Sequence, residues 1–156
     1  MEIEFKLYQR PSNKDIIKQI INIINSLTGK WFTENVAADT ERDLLFQDVL
    51  CITIEDKIVS FIIFTCWDGS IYITLMGTKL EHQGLGLGSK LMNYFCSYIK
   101  QIGFDEIVVL TVPPKVKPSY NSTVNFYIKN GFEITQEYQE MWENGAVELI
   151  KDLAKD

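Results

Sequence analysis

The chain has 156 residues, enough for one domain that buries its core without disulfide or metal staples. With 46% hydrophobic and 23% charged residues it has the composition of a soluble globular protein, which excludes disordered and fibrous classes. Fifteen basic against 21 acidic side chains give a net charge of −6, which argues against a protein whose main task is to hold nucleic-acid phosphates and tilts toward a cationic partner.

Residues 3–8, IEFKLY, alternate apolar and polar as a half-buried strand does. Pro11 and Ser12 then open a helix, with Asp15 three residues after the serine in the manner of a capping box. Ile16, Ile17, Ile20, Ile21, Ile24 and Leu27 follow at helical spacing, and Gly29 stops the run. This segment contains Lys18, Gln19, Asn22 and Asn25 and is too short and too polar to span a bilayer; it also lacks the flanks of a signal peptide. WFTENVAAD reads as a loop, followed by a shorter helix from about Asp39 to Gln47.

The middle of the chain is strand-rich. VLCITIE and IVSFIIFTCW are separated by Asp56-Lys57, and Asp68-Gly69 is a hairpin signal leading into SIYITLMGT. HQGLGLGSKLMNYF, residues 82–95, starts a helix that runs to about Gln101 and ends at Gly103. EIVVLTV is a continuous apolar run suited to a buried strand. After a stiff loop containing Pro113, Pro114 and Pro118, STVNFYIKN has helical spacing with Gly131 at its end, and FEITQEY and AVELIK are the last strands. This order predicts an α/β (α+β) fold in a single domain over residues 1–156, with one mixed, mostly antiparallel central sheet flanked by helices. The central strand-helix-strand unit is expected to be parallel and right-handed. Cys51, Cys66 and Cys96 form no CxxC pair and sit in apolar segments, as reduced core thiols of a cytoplasmic protein do.

Gly84, Gly86 and Gly88 stand directly before a helix. Such backbone lets N–H groups converge, and the helix end adds about half a positive charge, which suits a phosphate. The Walker spacing GxxxxGK[ST] fails, because three residues separate Gly84 from Gly88 and the lysine follows Ser89. The dinucleotide fingerprint GxGxxG also fails, its third glycine falling on Ser89 or on Leu91. Gln83-Gly84-Leu85-Gly86-Leu87-Gly88 instead resembles the Q/R-x-x-G-x-G/A loop of the GNAT superfamily of acyl-CoA-dependent N-acyltransferases. NFYIKNGF, residues 125–132, is similar to the FYxKxGF segment that ends that family's conserved core, with one helix and one strand between the two motifs.

The resemblance implies the GNAT fold and an N-acetyltransferase that moves an acetyl group from acetyl-CoA to a primary amine by direct attack in a ternary complex. It assigns the loop Gln83, Gly84, Leu85, Gly86, Leu87, Gly88 and Ser89 to the coenzyme A pyrophosphate. The backbone of Met76, Gly77 and Thr78 would pair with the pantetheine arm and aim an N–H at the thioester carbonyl. A glycine inside a strand weakens pairing unless the strand bulges or something approaches closely, and Gly77 sits inside one. Tyr127 matches the tyrosine proposed to protonate the leaving thiolate; a phenol with reference pKa of about 10 holds its proton at neutral pH. Where many members carry an asparagine seven residues before that tyrosine, this chain has Tyr120, with Asn121 one residue late, about 100° around a helix. The pantetheine contact is left to Tyr120, Asn121 or Ser122.

On the acceptor side the same resemblance points to Trp31, Phe32, Glu34 and Tyr72. The base stays open among the carboxylates Glu34, Asp39, Glu41 and Asp43. His82, the one histidine, abuts the loop and is expected to be solvated; Cys96 falls in the apolar pattern of its helix and makes a poor nucleophile. Lys79, Lys90 and Lys129 lie near the two motifs as further phosphate contacts. No metal is expected. The partners expected are a small-molecule or peptide amine, with neither nucleic acid nor membrane, and a monomer or homodimer. Two rival readings remain: an acyl-CoA-binding module without catalysis, and an acyltransferase acting on aminoacyl-tRNA, against which the acidic balance speaks.

Overall fold

The computed structural model describes residues 2–142 and 144–155. Its elements run β1 (Glu4–Tyr8), α1 (Lys14–Leu27), α2 (Val36–Asp43), β2 (Asp48–Ile54), β3 (Lys57–Trp67), β4 (Ser70–Thr78), α3 (Leu87–Gln101), β5 (Glu106–Thr111), α4 (Tyr120–Lys129), β6 (Glu133–Tyr138) and β7 (Ala146–Asp152). The seven strands form one sheet in the order β1-β2-β3-β4-β5-β7-β6. β4 and β5 pair in parallel through Ile71–Ile73 and Ile107–Val109, with α3 as the crossover that a parallel pair requires. The β1–β2, β2–β3, β5–β7 and β6–β7 pairs are antiparallel. The mixed, mostly antiparallel sheet with four helices is the architecture the element order predicts.

Three local expectations are corrected. α1 is capped by Asn13, whose side chain accepts from the Asp15 amide at 2.8 Å, and not by Ser12; both are cap-forming residue types, and the helix starts one residue later. α2 begins at Val36 and ends at Asp43, so the last four residues of the expected loop are helix and Leu44–Gln47 lies outside it. The Asn35 side chain donates to Asp39 one turn on (2.9 Å), and beyond Asp43 the bonds from Leu45 to Arg42 and from Phe46 to Asp43 tighten the end into a turn. The first hairpin turn is Glu55-Asp56, both at positive φ (50° and 64°), and Lys57 already pairs with Ile54. Positive φ at both central residues is the two-residue turn that matches strand twist, and Asp68-Gly69 (51° and 81°) repeats it.

The described chain forms two compact units, one made of the chain up to Thr65 with Thr74–Phe95, the other of Cys66–Ile73 with the chain from Cys96 onward. In the first, the apolar stripe of α1 (Ile20, Ile23, Ile24, Leu27) packs with Leu44, Val49, Cys51, Ile58, Phe61 and Ile63, flanked by Trp31, Phe32, Val36, Ala37 and Leu75. β3 is buried without interruption from Ile58 to Phe64. Its two faces are both covered: Phe61 joins the α1 cluster, while Phe64 meets Phe95 of α3 edge to face at 4.9 Å.

In the second unit, β7 alternates: Val147, Leu149 and Lys151 are buried while Glu148 and Ile150 are half-buried. β5 contributes Ile107, Val108 and Val109, and α4 contributes Val124 and Tyr127. β6, last in the strand order, is exposed from Glu133 to Glu137 and its register against β7 shifts between Ile134 and Gln136.

Candidate functional site

The glycine loop lies in the first unit. A short 3-10 turn at Leu80–His82, which the sequence reading did not anticipate, connects β4 to it. Gly84 and Gly86 both take φ of +78°, and nothing stands within 4 Å of the position a Cβ would occupy at either. The demand for glycine here is therefore conformational and not steric. The first turn of α3 closes when the Lys90 amide donates to the Gly86 carbonyl at 3.1 Å. Among the described residues no acceptor meets the backbone N–H groups of Gly84 through Gly88. Five consecutive unengaged donors at the start of a 15-residue helix make a seat for an anion, since the helix end adds its partial positive charge there. The donor set suits a phosphate group.

The other candidates of this unit brace the seat or stand near it. Gln83 turns its side chain back, its Nε2 donating to the Thr78 carbonyl at 3.0 Å, which ties the loop to the end of β4. Gly77 is buried, and a methyl there would stand 3.1 Å from Cε1 and Cζ of Phe61 and 3.3 Å from Cδ1 of Leu27. Close approach by an aromatic ring is thus a sufficient reason for this glycine. Ser60, buried in β3, was missed from sequence: its hydroxyl donates to the Gly77 carbonyl (3.3 Å) and meets the Thr78 hydroxyl at 2.8 Å. The one available signal was a lone hydroxyl in an apolar strand, which needs a partner when buried. Met76 and Ser89 are half-buried; Leu85 is exposed and Leu87 is buried.

Trp31 and Phe32 are half-buried and pack against the α1 cluster, and Lys30 Nζ lies 5.3 Å from the Trp31 ring. Glu34 is exposed. Of the other carboxylates, Asp39 accepts from Asn35 and pairs with Arg42 at 3.6 Å. Glu41 borders a cavity of about 340 Å³ with Lys14, Ile17, Lys18 and Ile21. Burial, and secondarily Asp39, raises the proton affinity of Asp43 above the usual carboxylate range. His82 departs from the solvated side chain expected: it is half-buried, and its Nδ1 is enclosed with no hydrogen-bond partner among the described residues. Lys79 pairs with Glu81 at 3.7 Å, while Lys90 and Lys129 are exposed. Cys51 and Cys96 are buried as expected, but Cys66, near the end of β3, is exposed and is no core thiol.

Tyr127 belongs to the second unit, and the local structure explains the motif that carries it. α4 ends in a Schellman cap: the Phe132 amide donates to the Tyr127 carbonyl (3.0 Å) and the Gly131 amide to the Ile128 carbonyl (3.0 Å), with Gly131 at φ +94°. The apolar contact that accompanies such caps is the Tyr127–Phe132 ring pair, 5.2 Å apart and 67° inclined. Phe126 closes the other side at 5.5 Å. Burial, with a smaller contribution from the Tyr120 phenol, holds the Tyr127 hydroxyl well above the ordinary phenol value. Tyr120, seven residues back and so on the same face of α4, is half-buried with the Lys117 ammonium 5.9 Å from its ring; Asn121 and Ser122 are exposed. Tyr72 meets Trp67 edge to face at 5.8 Å, and its phenol is raised first by burial and then by Glu148, Asp68 and Glu106. Among the described residues no group of three or more His, Cys, Asp or Glu is placed to hold a metal ion, and no helix is long and apolar enough to cross a membrane.

Solved structures of acetyltransferases share this mixed seven-stranded fold. A GNAT-family protein from Desulfovibrio desulfuricans superposes with a TM-score of 0.81 at 14% identity, covering 97% of this chain and 99% of the other. A GNAT-family acetyltransferase from Elizabethkingia anophelis with acetyl-CoA bound gives 0.73 at 13% identity, over 96% and 97% of the two chains. An aminoglycoside 6'-N-acetyltransferase complexed with coenzyme A gives 0.74 at 13%, also over 96% and 97%. No curated protein matches by sequence. Residues 46–134 match the Acetyltransferase (GNAT) domain family, more than half of the chain, and the protein belongs to that family.

Proposed function

We propose that the protein is a cytoplasmic N-acetyltransferase that transfers an acetyl group from acetyl-CoA to a primary amine by direct attack in a ternary complex. The observation that carries this reading is the run of unengaged amides from Gly84 to Gly88 at the head of α3. They hold the pyrophosphate, with Gln83 keeping the loop tied to β4. Acetyl-CoA supplies an acyl group already activated as a thioester. The backbone of Met76, Gly77 and Thr78 extends along the pantetheine, and an N–H of this stretch stabilises the oxyanion. Ser60 donates to the Gly77 carbonyl, which helps hold the peptide joining Gly77 to Thr78.

The amine nitrogen attacks the acyl carbon, the new C–N bond forms and the C–S bond breaks. The ammonium proton leaves to a carboxylate, directly or through water, with Glu34, Asp39, Glu41 and Asp43 as the candidates for that base. Tyr127 donates a proton to the departing thiolate. Its raised pKa keeps it protonated throughout the working range, yet makes transfer to a thiolate, whose thiol has an ordinary pKa of about 8.5, uphill. Donation is therefore coupled to C–S cleavage and does not precede it.

Calorimetric titration with acetyl-CoA, followed by a thiol-release assay over a panel of amines, tests the proposal. The panel includes aminoglycosides, polyamines, amino acids and peptides. Binding and turnover are expected; absence of both binding and thermal stabilisation at millimolar acetyl-CoA would sink the reading. The tight packing of Phe61 on Gly77 gives that glycine a purely structural reason and so favours, as a second reading, an acyl-CoA-binding module without catalysis. Such a module binds acetyl-CoA and turns over no amine in the panel.

A further inference from the structure

The buried row of β7 reads Val147, Leu149, Lys151, and the third member is the anomaly. Lys151 is 8% exposed, an ammonium where an apolar side chain would satisfy packing. Its Nζ donates to the Asn130 carbonyl at 2.9 Å. That carbonyl belongs to the C-cap of α4, whose preceding carbonyls are met by the cap itself: Phe126 by the Asn130 side chain (2.8 Å), Tyr127 by Phe132 and Ile128 by Gly131 (3.0 Å each). A helix C-terminus carries partial negative charge, so a cation there is favoured in place and charge. Gly131 makes the approach possible, since a Cβ at that position would stand 3.3 Å from both Cε and Nζ of Lys151.

We infer that Lys151 is a positioning residue for Tyr127: with Gly131 it clamps the cap of α4 onto β7 and thereby fixes the turn in which Tyr127 is the residue whose carbonyl closes the cap. Lys151 touches no reacting atom; it acts through Asn130 and the cap. The inference rests on the proposed role of Tyr127 for its kinetic consequence but not for its structural one, and the experiment separates the two.

Lys151→Met keeps the unbranched side chain as far as its ε-carbon and removes the donor and the charge; Lys151→Arg keeps both donor and charge. Steady-state kinetics on the best amine of the panel give kcat and the KM for acetyl-CoA. Phenol ionisation of Tyr127 is isolated as the ultraviolet titration difference between each protein and the same protein carrying Tyr127→Phe. For Lys151→Met the clamp predicts a kcat lower by roughly tenfold to a hundredfold, in line with the cost of a small misplacement, with KM for acetyl-CoA unchanged. It also predicts that Tyr127 ionisation moves down toward the ordinary phenol range as its enclosure loosens. Lys151→Arg recovers most of both. If Lys151→Met does not fold, Lys151→Leu, which also removes the donor and the charge, carries the same predictions. Unchanged Tyr127 ionisation in a folded Lys151→Met or Lys151→Leu protein overturns the clamp, as does a loss of kcat with no shift in that ionisation. Undiminished turnover by Tyr127→Phe refutes the acid role of Tyr127 alone, and the titration then decides the clamp by itself.

Discussion

Gly77→Ala tests the packing around the middle of the sheet without appeal to any ligand. The added methyl would stand 3.1 Å from two carbons of the Phe61 ring and 3.3 Å from Leu27 Cδ1, where carbon atoms rest at about 3.5–4.0 Å. The ring must retreat by roughly half an ångström, and it has nowhere to go: Phe61 is fully buried in a cluster with Ile20, Ile24 and Ile58. Overpacking of this kind costs about 1–3 kcal/mol, and in a chain of this size that lowers Tm by roughly 2–12 °C. The backbone adds no strain, because Gly77 has no positive φ. Thermal and urea unfolding of Gly77→Ala, Phe61→Leu and the double variant form a cycle in which the smaller side chain relieves the clash, with an expected coupling of about 1 kcal/mol or more. A Tm for Gly77→Ala within about 1 °C of the parent, or strictly additive variants, would refute the reasoning.

Gly86→Ala meets no steric obstacle but places an alanine at positive φ, which costs about 1–2 kcal/mol; it is expected to weaken coenzyme A binding roughly tenfold by calorimetry while far-ultraviolet circular dichroism stays unchanged. Tyr127→Phe is expected to keep acetyl-CoA affinity and lose turnover by about 10²-fold or more, the range of a general acid; equal kcat with the best amine of the panel would count against the acid role. Burial pushes the Cys51 thiol from 9.0 up to about 12. The folded state therefore holds a proton that the unfolded state releases between those values, so stability is full below about pH 9 and falls as pH rises toward 12. Cys51→Ala should flatten that alkaline slope in unfolding measured as a function of pH. A thiol reagent at neutral pH should modify Cys66 quickly and leave Cys51 and Cys96 untouched until the chain unfolds, given their exposure; mass mapping of the labelled residue checks it.

What the sequence made legible followed physical period and turn chemistry. SIYITLMGT is strand from Ser70 to Thr78, bounded by a turn that needs positive φ on one side. The hydrophobic stripe of α1 and the glycine-opened α3 were equally readable, because long periodic segments leave few alternatives. The limits of α2 were not, because its packing residues Val36 and Ala37 follow an N-terminal stretch with no apolar repeat. Within the site, the loop could be read from its glycines, Tyr127 from its motif and Gly131 from its place at a helix end, but the reason for Gly77 lies in a side chain far away in sequence, Phe61. No local pattern encodes such pairings. Ser60 and the enclosed His82 Nδ1 share this character, since burial at one position is decided by residues elsewhere.

The open rim of β6 bears on how the molecule behaves in a crowded cell. A last strand offers its backbone to any passing strand, including that of a second copy. Here Glu133 and Glu137 set carboxylates along an exposed ribbon, and the displaced register at Ile134 and Gln136 bends it. Two such ribbons brought together would oppose acid to acid on a protein that already carries a net charge of −6. Acidic charge along an open rim thus works against the zipping of neighbouring copies into aggregates while the chain is being made.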